Sequence, residues 1–122
     1  MNSIDTQHDQ TLRATAAARL SEAAIAAVAR LPPARLRIST RGRQPVALAR
    51  QTAMYLAHVA FGLSLTRVGI CFGRDRTTVR YACARMEDRR DDPKIEFGLA
   101  ALERGLLALM KKLESKAKEA RR

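Results

Sequence analysis

Between positions 74 and 85 the chain reads Arg-Asp-Arg-Thr-Thr-Val-Arg-Tyr-Ala-Cys-Ala-Arg, a set of side chains suited to recognising a polyanion that also carries hydrogen-bonding edges. Arginine presents a planar fork that takes phosphate, or guanine O6 and N7, with two bonds at once. Threonine is small enough to let a helix approach closely, and its methyl can touch thymine. On a helix beginning near Asp75, Arg76 and Thr77 fall in the first turn, Arg80 and Tyr81 follow one turn later, and Arg85 lies beyond them. Val79, Ala82, Cys83 and Met86 then share the opposite, buried side. Tyr81 fits a phosphate contact and a structural role equally well.

The charge balance points the same way. Lys and Arg number 23 against 12 Asp and Glu, a net charge of +11 on 122 residues, and such a field draws polyanions. Residues 32–90 hold twelve Arg and no Lys against Asp75, Glu87 and Asp88, while the first 31 residues are balanced. A merely solvated basic face is the competing reading, but such faces mix Lys and Glu.

Other chemistries have less to stand on. The sequence has no GxxxxGK[ST] phosphate loop, no Ser/His/Asp set, no paired-carboxylate site and no metal-spaced cluster. The expectation is a protein that is not an enzyme, with no cofactor and no small-molecule substrate. His58, within an apolar segment, reads as a surface or core-edge residue, and His8 as solvated. Cys71 and Cys83, too far apart for a CxxC pair, read as buried thiols. The polar first ten residues hold no signal peptide, and no stretch approaches the roughly 20 apolar residues of a membrane span. That composition predicts a cytoplasmic, nucleoid-associated protein with no membrane partner.

The elements that must hold these residues are helices. No useful β-alternation and no internal repeat occurs, so the fold class is all-α. Residues 1–10 read as a disordered tail. An Ala-rich helix is expected over 11–33, its face marked by Leu20, Ala24, Val28 and Leu31 and its end by Pro32 and Pro33. Residues 34–93 form the binding domain. It opens on a basic loop or arm carrying Arg35, Arg37, Arg41 and Arg43, and a helix follows from Val46 to Phe61. Ser64 caps a short helix that Gly73 breaks, and Asp75 caps the next, which runs to Asp91-Asp92-Pro93. Residues 94–122 form an amphipathic helix with a basic tail. Its stripe of Ile95, Leu99, Leu102, Leu106, Leu109 and Leu113 either packs on the core or pairs two copies.

The segment ARQTAMYLAHVAFGLSLTRVGICFGRDRTTVRYACARME resembles the C-terminal helix-turn-helix DNA-binding domain of the bacterial replication initiator DnaA. The likeness rests on an Arg-Gln pair opening a helix with an AMYLA stretch, a Ser-Leu turn before a helix ending in Phe-Gly, and the Arg-Asp-x-Thr-Thr-Val element. It implies base reading in the major groove by Asp75, Arg76, Thr77 and Thr78. It implies sugar-phosphate contacts from Arg50, Gln51, Leu65 and Thr66, to which the basic pattern adds Arg67, Arg74, Arg80, Tyr81 and Arg85. It also implies a basic segment in the minor groove, here Arg41 or Arg43, because Leu48 stands where the family keeps a minor-groove arginine. Arg76 replaces the family's reading histidine, Thr66 its proline, and Gly73 stands alone where two glycines are usual. The preferred DNA sequence is therefore expected to differ from the initiator box.

The expected length leaves no room for an initiator's ATPase module. Three functions remain. One is a sequence-specific transcription regulator whose terminal helices contact RNA polymerase, another regulator or a second copy. Another is a replication-control factor competing at initiator boxes. The third is an architectural protein coating the chromosome, for which +11 alone suffices.

Overall fold

The computed structural model describes residues 3–38 and 44–121. Among them are five α-helices, one short 3-10 turn and no strand, which bears out the all-α class. In order they are α1 (Ser3–Ala29), the 3-10 turn (Pro33–Leu36), α2 (Gln44–Val59), α3 (Leu65–Phe72), α4 (Arg76–Arg89) and α5 (Pro93–Ala120).

Helix α2 is the hub. It buries Val46, Ala49, Ala53, Met54, Tyr55, Leu56 and Ala57 between α1 on one side and the α3–α4 pair on the other. It starts two residues before the expected Val46, and Pro45 occupies its second position, where a missing N–H costs no intrahelical bond. At its end His58 Nδ1 donates to the Leu63 carbonyl at 2.6 Å and pins the turn into α3. This is the core-edge role expected for His58.

Helix α1 differs from expectation in two ways. It begins at Ser3, inside the segment expected to be a disordered tail. The residues from Gln7 to Arg13 are exposed, so no apolar period marks them, yet Thr11 and Thr15 hydroxyls donate back to carbonyls four residues earlier. Its core face is Ala14, Ala17, Ala18, Ser21, Glu22, Ile25 and Ala26, rotated by roughly a third of a turn from the expected Leu20–Ala24–Val28–Leu31 stripe. Small side chains let α1 lie close against α2, and Val28 is left outside, 70% exposed. The buried Glu22 carboxylate takes Arg37 Nε at 2.8 Å and Arg19 Nη1 at 3.7 Å. Arg37, expected in a DNA-facing arm, is thus spent on the interior. Burial lowers the Arg19 pKa, and the side chain lies 5.2 Å from the Phe72 ring while Nη2 donates to the Cys71 carbonyl.

Helix α5 continues past the expected stripe to Ala120 and runs antiparallel to α1, with Arg13 beside Glu114 near one end and Ile25 beside Leu99 and Leu102 near the other. Asp92 caps it, donated to by the Lys94 N–H at 2.9 Å. The stripe divides: Leu99 and Leu106 are buried, whereas Leu109 and Leu113 are exposed and Met110, outside the expected stripe, is buried in their place. Arg90 fixes the base of the helix by donating to Glu96, to Glu103 at 2.7 Å and to the Tyr55 hydroxyl at 3.0 Å. These bonds hold its pKa above the ordinary arginine value. Tyr55 in turn donates to Glu87 at 2.5 Å, and burial, then that bond, pushes its hydroxyl up to about 12. Both cysteines are free. Cys83 is buried and its thiol raised to about 11 by that burial, but Cys71 is only half-buried, against the expectation.

Candidate nucleic-acid interface

Local chemistry builds the α3–α4 pair. The Ser64 Oγ accepts from the Arg67 N–H at 3.1 Å and starts α3. Gly73 ends it in the left-handed conformation, φ 66°, as helix C-caps do. The Arg74 N–H donates to the Gly69 carbonyl at 2.9 Å, folding the turn back so tightly that a Cβ on Gly69 would run into the Arg74 carbonyl oxygen. Glycine is therefore a steric requirement of this turn. Asp75 Oδ1 then accepts from the Thr78 N–H at 2.7 Å and starts α4. That bond is the main cause holding the Asp75 carboxyl below the usual carboxylate range.

One face of α4 is buried through Val79, Ala82, Cys83 and Met86, the four residues expected there. On the other side Arg76, Thr77, Thr78, Arg80, Tyr81 and Arg85 are all exposed, Tyr81 at 66%. With Asp75 they form a continuous polar surface along the first half of the helix. Thr66 is exposed on α3, Leu65 and Arg67 are half-buried beside it, and Gln51 on α2 lies near Arg85 in a hollow shared with Leu48. Arg41 and Arg43 lie outside the described residues.

Two residues expected on the sugar-phosphate are committed elsewhere. Arg50 is buried, donating from Nε to the Leu36 carbonyl at 2.9 Å and from Nη2 to that of Ile38 at 3.3 Å. Burial, and then Arg74 nearby, lower its pKa. Arg74 is half-buried and donates to the carbonyls of Phe72, Gly73 and Ile38. Arginine at a surface-like spacing reads as a phosphate ligand, and nothing in the sequence marks these two as struts. Their physical role is clear once the backbone is seen: both converge on the Ile38 carbonyl and tie the segment after the 3-10 turn to the root of α4. The Tyr55–Glu87–Arg90 link, also unforeseen, steadies α4 from behind.

An exposed polar helix face behind a capped Gly turn is the arrangement that sets a second helix into the major groove. The family described as bacterial DnaA protein helix-turn-helix matches residues 22–86, more than half of the chain. The chain belongs to this DnaA helix-turn-helix family. The match begins within α1, so that helix contributes to the DnaA-type domain as well as leading into it. Among similar proteins is the chromosomal replication initiator protein DnaA 2 of Chlamydia trachomatis, 44% identical over 54 residues, which is 44% of this chain and 12% of that one. The DnaA 1 protein of Protochlamydia amoebophila is 40% identical over 65 residues, covering 53% of this chain and 14% of its own. DnaA of Laribacter hongkongensis is 40% identical over 70 residues, 56% and 15% respectively. The chain therefore spans about a seventh or less of the length of these relatives. No solved structure matches it. Among the described residues no group of three or more His, Cys, Asp and Glu could hold a metal ion, and no helix is long and apolar enough to cross a membrane.

Proposed function

We propose that the protein is a sequence-specific, double-stranded DNA-binding transcription regulator of the nucleoid. The observation that carries this is the first turn of α4, where Asp75, Arg76, Thr77 and Thr78 stand exposed on a helix whose opposite face is buried. In a DnaA-type helix-turn-helix that turn enters the major groove and its side chains meet base edges. Gln51, Thr66, Arg80, Tyr81 and Arg85, with Arg41 and Arg43, grip the backbone and the minor groove. The terminal helices α1 and α5 contact RNA polymerase, another regulator or a second copy.

Replication control is the second reading, favoured by the printed names of the relatives, which are replication initiators. Genome-wide occupancy in cells separates the readings. Peaks upstream of genes whose transcription changes on deletion support the regulator. Peaks confined to initiator boxes near the origin support replication control, and even coverage of the chromosome overturns both.

A further inference from the structure

A second surface, apolar where the candidate DNA interface is polar, adjoins that interface. Between α1, α2 and α5 lies a hollow of about 420 Å³. Its floor is the buried Met86 and Leu99, and its walls are Val28, Leu48, Ile95 and Leu102. A single exposed valine is ordinary; Val28 is 70% exposed over an open hollow whose lining is apolar save for Thr52 and Arg89. The edge of the hollow is basic. Arg89 lines it, and it opens into a second hollow that adds Arg85 and Gln51, with no acidic residue lining either one.

We propose that this groove receives an acidic amphipathic helix from a partner protein. A row of apolar anchors at helical spacing fills the walls between α1 and α5, and flanking carboxylates meet Arg89 at the rim. Charge selects this occupant over the alternatives. A second copy of the chain brings a net charge of +11, so self-docking sets two basic molecules against each other. Duplex DNA has the charge but offers no apolar row for Val28, Leu48 and Leu102. Arg89 is thirteen residues along α4 from Arg76, about 20 Å, so a docked helix lies beside the DNA-reading turn and leaves it free. The inference goes beyond the DNA-binding reading and is tested without DNA.

The test is a titration of the full-length protein into a fluorescent synthetic peptide of about four helical turns, with leucine at positions i, i+3, i+4 and i+7 and glutamate on the flanks. Saturable binding at about 10 μM or tighter is expected. Val28→Asp should weaken it at least about tenfold and Arg89→Ala about threefold, with melting unchanged because both residues are exposed. Thr77→Ala should bind as wild type, and a peptide with lysine in place of glutamate should not bind. Absence of saturation, equal binding of the lysine peptide, or an unaffected Val28→Asp variant overturns the proposal. So does a wild-type dimer in sedimentation that Val28→Asp converts to monomer, which would give the groove to a second copy.

Discussion

Asp75 has two tasks, and pH separates them. Its depressed pKa means that its contribution to stability is in place above the ordinary carboxylate value, near pH 4, and is lost as pH falls through the lower folded value. Asp75→Asn keeps a capping side chain but has no charge to lose. The melting temperature of wild type, measured from pH 7 down to pH 3, should therefore fall relative to that of the variant, and parallel curves would remove the charged cap from the account. If Asp75 meets a base edge, as proposed, the same variant should bind DNA at neutral pH with altered selectivity. Arg76, exposed one residue further on, makes a sharper case. If it takes a guanine edge, Arg76→Ala flattens preference at one base pair, by about 1 to 3 kcal/mol or roughly 5- to 150-fold, whereas a phosphate contact weakens every site alike. Competition between duplexes differing at single positions reads the difference.

At the scale of elements, punctuation was legible throughout and facing only where the side chains contrast. Ser64, Gly73, Asp75 and the Asp92-Pro93 pair mark helix ends by mechanisms that need no tertiary context, and the structure caps α3 at Ser64 and Gly73, α4 at Asp75 and α5 at Asp92, with Pro93 its first residue. The buried side of α4 was legible too, because large apolar residues alternate with charges. Between Ala14 and Ala29 eleven of sixteen positions are Ala, Ser or Thr, so the contrast that reveals a face is weak, and close packing on α2 decided it instead. Arg50 was misread for a related reason: a buried arginine bonded to carbonyls has the same sequence signature as one aimed at phosphate. Arg50→Ala should lower stability by about 2 kcal/mol, the usual scale for lost charge-assisted bonds, while leaving the salt dependence of DNA binding unchanged. A slope reduced by about one unit would instead return Arg50 to the phosphates. Gly69→Ala tests the turn. Replacing a helical glycine by alanine ordinarily stabilises by about 1 kcal/mol, but the collision with the Arg74 carbonyl reverses the sign, and thermal melting should show a loss together with weaker DNA binding.

For the molecule as a whole, the helix-turn-helix is not an isolated pair of helices but one side of a five-helix assembly. Arg90 and Tyr55 connect α4 to α2 and α5, and Arg19 and Glu22 connect α1 to α3 and the 3-10 turn. That assembly gives α4 a fixed backing, and a fixed backing is what allows side-chain identity, and not charge alone, to select a binding site. A net charge of +11 guarantees some affinity for any duplex at low salt, so binding by itself decides nothing. The deciding measurement is an unbiased selection of the full-length protein on random duplexes at about 150 mM salt, where unspecific contacts are screened. The account predicts one enriched motif, with a position that loses its preference in Arg76→Ala. Recovery of random sequence by the wild type would contradict it, leaving a basic coat with no reading helix.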